Sequence, residues 1–225
     1  MIRLQNISKF FDSHQVLKDI SVELHAGKVY GIVGQNGAGK TTLFRCIAGL
    51  ESFHGAIHSE FEPLKNYIGF LQTEPYFIDK LTGEEYIYLF CNARNKELPD
   101  MNTQNIFDLP LKQYASTYST GMKKKLALTA ILMQKNDVFI LDEPYNGVDI
   151  QSNILITEII LRLKAAGKTI LVSSHIFSSL DAICDEIFLL QSGVMEKRVF
   201  KDEFSTLEKE MKAFAIGDKL DNLKF

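Results

Sequence analysis

The sequence predicts an α/β fold built on a mainly parallel sheet. Four short, unbroken apolar runs are typical of strands that are covered on both faces. Segments with apolar residues at helical spacing lie between these runs, and alternation of strand and helix indicates a parallel sheet with helices packed on it. The runs are Val29–Val33 and residues 138–141, 169–172 and 187–190.

The composition indicates one globular domain over residues 1–225. The chain has 25 Lys and Arg, 28 Asp and Glu and a formal net charge of -3, so nothing in the total favours a nucleic-acid-binding surface. No apolar run approaches the roughly 20 residues of a membrane-spanning helix, and the start lacks a secretory signal, so we expect a cytoplasmic protein. Three scattered cysteines predict neither disulfides nor a zinc site.

The elements outside the parallel sheet are predicted from their own patterns. Residues 20–24 alternate apolar and polar side chains, as expected of a half-buried antiparallel strand. A helix should follow the first apolar run, and another should precede Gly167, a plausible C-cap. Their predicted inward-facing residues are Leu43, Ile47 and Leu50 in the first helix, and Leu155, Ile159 and Leu163 in the second.

Residues 82–135 break the alternation, which predicts a helical insert. The insert opens with a capping box, in which Thr82 and Glu85 satisfy each other's unpaired backbone amides. Its polar stretch, residues 92–105, contains Pro99 and is predicted to be a loop between helices. The three lysines at 123–125 are predicted to form a solvated helix face.

A glycine-rich motif of the form G-x-x-x-x-G-K-T follows the first apolar run. Its glycines allow successive backbone N–H groups to face one anion at the start of a helix, so the motif predicts a nucleoside triphosphate site. Lys40 should contact the β- and γ-phosphates, Thr41 should bind Mg²⁺, and Thr42 should add a phosphate contact. The motif comprises Gly34, Gln35, Asn36, Gly37, Ala38, Gly39, Lys40 and Thr41.

Two carboxylates, Asp142 and Glu143, end the second apolar run. The carboxyl ends of parallel strands are where open sheets bind ligands, so these side chains should lie near the phosphates. We expect Asp142 to hold Mg²⁺ and Glu143 to polarise the water that attacks the γ-phosphate. Both expectations depend on the phosphate motif, since two acids before Pro144 could otherwise begin an ordinary loop.

With these motifs, the chain resembles the nucleotide-binding subunits of ATP-binding-cassette (ABC) transporters over nearly its whole length. The diagnostic segment is Tyr118-Ser119-Thr120-Gly121-Met122, which is similar to the LSGGQ signature of that family. The resemblance implies a P-loop NTPase core, an N-terminal antiparallel β subdomain at about residues 1–30 and 51–70, and a helical subdomain at about 80–135. The Y-S-x-G-M-K wording resembles exporter-type cassettes whose permease is a separate polypeptide.

The resemblance also assigns roles to single residues. His175 resembles the switch histidine that contacts the γ-phosphate, so the expected catalytic residues are Glu143, His175 and Lys40. Asp149 resembles an acid at the dimer seam, and it can also cap the helix that follows. Phe11 matches the aromatic position that stacks on adenine, although Phe10 could serve instead.

One position departs from the family consensus sequence. A glutamine in this region of the family touches Mg²⁺ and the permease, and here Gln72 lies one residue early while Thr73 occupies the glutamine's place. Gln72 is the residue we predict to contact ATP and Mg²⁺, with Thr73 as the alternative.

By resemblance, the function is ATP hydrolysis that powers transport, with ATP and Mg²⁺ as cofactors. Ser119 and Gly121 would complete the ATP site of a second subunit, either an identical chain or a close paralogue. The expected partners are that subunit and an integral membrane permease that holds the chain on the cytoplasmic face of the membrane. The alternative is a soluble ABC-type ATPase acting on nucleic acid or ribosomes, which the absence of tandem cassettes and of a basic stripe disfavours.

Overall fold

The computed structural model describes residues 1–98, 100–175 and 177–216. Pro99, which we expected to mark a loop, lies outside the described residues, as do residues 217–225. Across the described residues, no helix combines the length and apolarity that crossing a membrane requires.

Two sheets form the framework. The smaller is antiparallel, with strand order β2-β1-β4, and confirms the strand predicted at residues 20–24. The larger has the order β5-β6-β7-β3-β8-β9, and its pairs are parallel except for β8 with β9. The strands are β1 (Ile2–Phe11), β2 (His14–Leu24), β3 (Val29–Val33), β4 (His54–Ser59), β5 (Ile68–Leu71), β6 (Val138–Asp142), β7 (Thr169–Ser173), β8 (Glu186–Gln191) and β9 (Val194–Phe200).

The helices from α1 to α6 lie between strands, as the alternating pattern predicts, and α7 follows the last strand. The insert begins with the predicted capping box, and a single turn of helix interrupts the stretch that was predicted to be a loop. The helices are α1 (Lys40–Ile47), α2 (Gly83–Asn92), α3 (Met101–Gln104), α4 (Thr120–Met133), α5 (Ile150–Ala165), α6 (Phe177–Ile183) and α7 (Phe204–Ile216), and 3₁₀ turns occupy Leu64–Tyr67, Ala115–Thr117 and Lys201–Glu203.

The large sheet separates two hydrophobic clusters. Along β6, Val138 and Ile140 face α1 and the small sheet, whereas Phe139 and Leu141 face the cluster that contains residues of α4 and α5. All five residues of β3, β6 and β7 are buried. Because both faces are covered, the strand ends have fixed positions, and the site side chains follow directly from them.

Three helix predictions need correction. Leu50 is exposed because α1 ends at Ile47 and Gly49, with a φ of +72°, reverses the chain. In α5, Ile156 and Ile160 are the fully buried residues, and Leu155 is exposed. This helix carries apolar residues on more than one face, so its spacing alone does not fix its rotation about the axis. The third correction concerns Lys124, which is buried and not solvated.

Candidate nucleotide-binding site

The loop between β3 and α1 has the geometry that its glycines permit. Gly37 and Gly39 have φ values of +80° and +108°, a region that side chains rarely adopt. A Cβ on Gly34 would lie 2.2 Å from the Leu190 carbonyl oxygen, so only glycine fits beside β8. The loop therefore curls tightly into the N-terminus of α1, where backbone N–H groups favour an anion.

Lys40, the first residue of α1, has its ammonium inside this loop. Its Nζ donates to the carbonyl oxygens of Gly34 at 2.7 Å and Gln35 at 3.2 Å. Burial lowers the pKa of Lys40, and the charges of Glu143 and Asp142 oppose that shift. A buried cation at the N-terminus of a helix favours the binding of phosphate.

Asp142, at the end of β6, gathers hydroxyl groups from three other segments. Its Oδ2 accepts hydrogen bonds from Thr41 Oγ1 at 2.7 Å and Thr73 Oγ1 at 2.8 Å. Its Oδ1 accepts a bond from Ser173 Oγ at 2.6 Å. The result is a cluster of oxygen atoms next to Lys40, which is the ligand type that Mg²⁺ prefers.

Glu143 and His175 meet at the ends of β6 and β7. The Glu143 Oε2 accepts a hydrogen bond from the His175 backbone N–H at 3.1 Å. Its Oε1 lies 3.1 Å from His175 Nε2, without the alignment of a hydrogen bond. Glu143 is buried while half of the His175 side chain is exposed, so the imidazole can reach both the carboxylate and a ligand.

These groups line one cleft of about 330 Å³, here called the phosphate cleft. The cleft brings together most of the residues that the two motifs predicted, and it adds Val16 and Thr73. Gly34 and Gln35 line a neighbouring cavity instead. The residues of the phosphate cleft are Val16, Asn36, Gly37, Ala38, Gly39, Lys40, Thr41, Thr42, Thr73, Asp142, Glu143 and His175.

The structure does not bring Gln72 into the phosphate cleft. Gln72 lines a separate groove beside Tyr76, Tyr86 and Leu89, whereas the next residue, Thr73, reaches Asp142. Successive side chains near the end of a strand point to opposite sides, which separates the two residues. Of the two candidates for the family's glutamine, only Thr73 contacts the residues around Asp142.

Phe10 and Phe11 are equally exposed, at 44% each, and differ in their neighbours. Phe10 packs its ring edge against His54, with centroids 6.0 Å apart. The Lys9 ammonium lies 4.6 Å from the centroid of the Phe11 ring, and the buried Lys9 forms an ion pair with the partly exposed Glu51 at 3.2 Å. Phe11 therefore has a cation near its ring in addition to its exposed surface.

The segment that resembles the family signature lies at the start of α4. We call residues 119–121 the signature turn. Ser119 caps the helix, because its Oγ accepts a hydrogen bond from the Met122 N–H at 3.3 Å, and α4 begins at Thr120. Ser119 and Thr120 are exposed, and the signature turn does not line the phosphate cleft.

The signature turn packs closely on the segment that follows β6. A Cβ on Gly121 would lie 2.6 Å from the Gly147 carbonyl oxygen. Asp149 caps α5 by accepting a bond from the Ser152 N–H at 2.8 Å, and Lys125 lies 3.2 Å from its other oxygen. These hydrogen bonds lower the pKa of Asp149, the Ser152 N–H having the largest effect.

Two contributors were missed by the sequence analysis. Ser173 is the last residue of β7, directly before Ser174 and His175, so its position at a strand end was a usable signal. Lys124 donates from its Nζ to the Glu143 carbonyl oxygen at 2.7 Å. It lies four residues before Leu128 and seven before Ile131, both buried, and this helical spacing could have shown that it faces inward.

Comparison with known proteins agrees with this geometry. Residues 17–146 match the family model described as ABC transporter. The ABC transporter ATP-binding protein NatA of Bacillus subtilis is 35% identical over 86% of this chain and 87% of its own length. An ABC transporter ATP-binding protein of Nostoc is also 35% identical, over 79% of this chain, which spans 57% of that longer relative.

A solved structure extends the likeness to three dimensions. It is the dimeric, post-hydrolysis state of an ATP-binding cassette bound to ADP and Pi, with a TM-score of 0.80 and coverage of 89% of this chain and 99% of that one. At 18% sequence identity, it supports the fold alone. Together, the matched family model and the identity to NatA show that this chain belongs to the ABC transporter family, as an ATP-binding subunit with ATPase activity.

Proposed function

We propose that two copies of this chain, or this chain and a close paralogue, hydrolyse ATP between them and drive export through a separate membrane permease. The observation that carries this proposal is the convergence of Lys40, Asp142, Glu143 and His175 on the phosphate cleft. Each of these groups lies at the end of a buried strand or in the segment that follows one, so the cleft is held ready for a triphosphate.

Within one subunit, we assign phosphate binding to residues 34–42. Lys40 exchanges its bonds to the loop carbonyls for bonds to the β- and γ-phosphates, which compensates its burial. Thr41, Asp142 and Thr73 supply hard oxygen atoms, and these fit Mg²⁺, which uses few protein ligands beside the phosphates and water. When bound, the ion neutralises phosphate charge. Phe11 stacks on the adenine, with Lys9 near the same ring.

We assign the catalytic roles to Glu143 and His175. The carboxylate of Glu143 accepts a hydrogen bond from the attacking water and orients it, because its Oε1 has no aligned partner within the described residues. The His175 imidazole, half-exposed and 3.1 Å from that oxygen, contacts the γ-phosphate. Lys40 stabilises the charge of the transferred phosphoryl group.

We propose that the signature turn of the partner subunit closes each ATP site. Ser119 and Thr120 are exposed and do not line the phosphate cleft of their own chain, and they lie at the N-terminus of α4, where an anion is favoured. Asp149 then lies at the seam between subunits. The structurally similar cassette bound to ADP and Pi is itself dimeric.

We propose that the permease docks on the helical segment, in the groove that contains Gln72. Tyr76 is 78% exposed there, and Ile78 and Leu89 are also exposed apolar residues. Gln72 lines this groove and the next residue, Thr73, lines the phosphate cleft, so a permease bound in the groove would be coupled to the cleft through adjacent residues. In this proposal the subunit lies on the cytoplasmic face of the membrane, and its β, helical and core subdomains keep the bounds that the resemblance implies.

We propose export as the direction of transport from the amino-acid sequence of the signature segment. Tyr118, Met122 and Lys123 give the Y-S-x-G-M-K form that resembles exporter-type cassettes. The relatives reported above are named as transporter ATP-binding proteins, and the nucleic-acid alternative gains no support from them.

Co-purification tests the proposed function. The tagged chain, expressed in its native cell and solubilised in mild detergent, should recover a protein with several apolar spans of roughly 20 residues. The double substitution Tyr76→Ser with Leu89→Ser in the docking groove should release that protein and leave ATP binding intact. Recovery of RNA or ribosomal proteins in place of a membrane protein would contradict the proposal.

A further inference from the structure

Lys124 is an unusual residue for the interior of a helical segment. It lies on α4 and is 1% exposed, and its ammonium donates to the Glu143 carbonyl oxygen at 2.7 Å. Burial lowers the pKa of Lys124, against the opposing charges of Glu143, Asp142 and Glu74. A buried cation is costly unless it is well paired, so its place directly behind the predicted catalytic carboxylate needs an explanation.

The main chain of Glu143 provides that explanation. Its φ is +52°, in the left-handed region that residues with a side chain rarely adopt. Hydrogen bonds hold the residue there on both sides: its N–H donates to Ser173 Oγ at 3.0 Å, and its carbonyl oxygen accepts from Lys124 and from the Asn146 N–H. In this conformation, the carboxylate contacts His175.

Lys124 also shares a helix with the signature turn. Gly121 lies three residues earlier on α4, and its Cα approaches Gly147 so closely that no side chain would fit. A movement of α4 would therefore be transmitted to the Glu143 main chain through Lys124. This link connects the turn that would contact the partner's ATP with the carboxylate that would act on the chain's own ATP.

We infer that Lys124 is a positioning residue for hydrolysis. It holds the Glu143 main chain in the left-handed conformation that aims the carboxylate at His175 and the phosphate cleft, and it couples that conformation to the signature turn of the same chain. The inference deepens the proposed function and rests on it, because it takes Glu143 as the residue that orients the attacking water.

The test is Lys124→Met, which keeps an unbranched apolar stem as far as Cε and removes the ammonium donor. We expect kcat for ATP hydrolysis to fall about tenfold, the effect of losing one hydrogen bond that involves a charged group. The KM for ATP and the calorimetric affinity for Mg-ATP should stay within twofold, since Lys124 does not line the phosphate cleft. Lys123→Met, the same change one residue earlier, is the matched control and should keep wild-type kcat.

A double-mutant cycle separates positioning from general damage. If Lys124 acts through Glu143, Lys124→Met should change turnover less than twofold in a Glu143→Gln background. A tenfold loss in both backgrounds would overturn the inference. If the Met variant melts well below the wild type, Lys124→Gln serves in its place, because its amide is one bond too short to reach the Glu143 carbonyl.

The outcomes also distinguish this inference from the proposed function. Wild-type kcat in a folded Lys124→Met or Lys124→Gln chain would overturn the role of Lys124 and leave the proposed function intact. If the wild-type chain hydrolyses ATP equally well as an isolated monomer, the proposal that the partner's signature turn closes the ATP site is overturned. A loss of kcat confined to the Lys124 variants would in that case still support the positioning role of Lys124.

Discussion

The phosphate cleft and the signature turn differ in how many of their contacts come from within one chain. In the cleft, Lys40, Asp142 and Glu143 are buried and have partners from several segments. In the signature turn, Ser119 and Thr120 are exposed, and the Ser119 hydroxyl caps only its own helix. The difference teaches that one half of the ATP site is preformed, whereas the other half is presented outward for a second molecule.

The largest expected effect comes from breaking the preformed half. Glu143→Gln keeps the shape of the side chain and removes the charge that orients the attacking water, so we expect kcat to fall on the order of 10²- to 10⁴-fold. ATP binding should persist, and an ATP-bound dimer should accumulate in size-exclusion chromatography. Full ATPase activity in this variant would refute the role of Glu143.

Adding a methyl group at the signature turn should disrupt the half of the ATP site that is presented to a second subunit. In Gly121→Ala, the added Cβ would meet the Gly147 carbonyl oxygen at 2.6 Å, so the turn must move. We expect ATP hydrolysis to fall roughly tenfold or more, with dimerisation weakened and Mg-ATP binding by the monomer unchanged. Loss of monomer binding in calorimetry would mean that the two halves are not separable.

Thr73 and Gln72 form a matched pair that sharpens the boundary of the cleft. Thr73→Val removes the hydroxyl that donates to Asp142 and keeps the volume. We expect the Mg²⁺ concentration for half-maximal activity to rise roughly tenfold. Gln72→Ala, in the separate groove, should leave the Mg²⁺ dependence unchanged. The opposite result, a shift for Gln72→Ala alone, would restore Gln72 as the ligand.

Phe11 and Phe10 form a second matched pair, at the end of β1. Phe11→Ala should raise the KM for ATP roughly two- to tenfold, the effect of losing one aromatic stacking contact. Phe10→Ala removes a ring of equal exposure that contacts His54, and its KM should stay at the wild-type value. Equal effects in the two variants would argue against adenine stacking on Phe11.

The smallest effect concerns Asp149, next to the signature turn. The pKa of Asp149 is lowered in the folded state, so its ionised carboxylate stabilises the fold fully at pH values above 3.8, the ordinary pKa of the group. This contribution is lost as the pH falls through the lowered pKa. Asp149→Asn retains a helix cap without the charge. Melting curves should show a slightly more stable wild type at neutral pH and convergence in acid. A constant difference across pH would exclude the charge as its cause.

The sequence predicts the features that depend on local pattern, and it does not predict those that depend on packing. The strands beside the cleft are short apolar runs with one possible environment, so their ends located Asp142 and Glu143 correctly near Lys40. Thr73 could not be chosen over Gln72, because one residue of register decides which side chain faces the cleft. The burial of Lys124 and the rotation of α5 depend on packing between segments distant in sequence, which local spacing does not determine.

The central claim is that the signature turn of one subunit closes the phosphate cleft of another, and cysteine cross-linking tests it most directly. Asn36 and Ser119 are exposed, and Cys46, Cys91 and Cys184 are buried. An Asn36→Cys chain mixed with a Ser119→Cys chain, both carrying Glu143→Gln, should form a disulfide-linked dimer only when ATP is present. Neither chain alone should cross-link through these positions. Absence of the mixed dimer with ATP, or its equal formation without ATP, would contradict the claim.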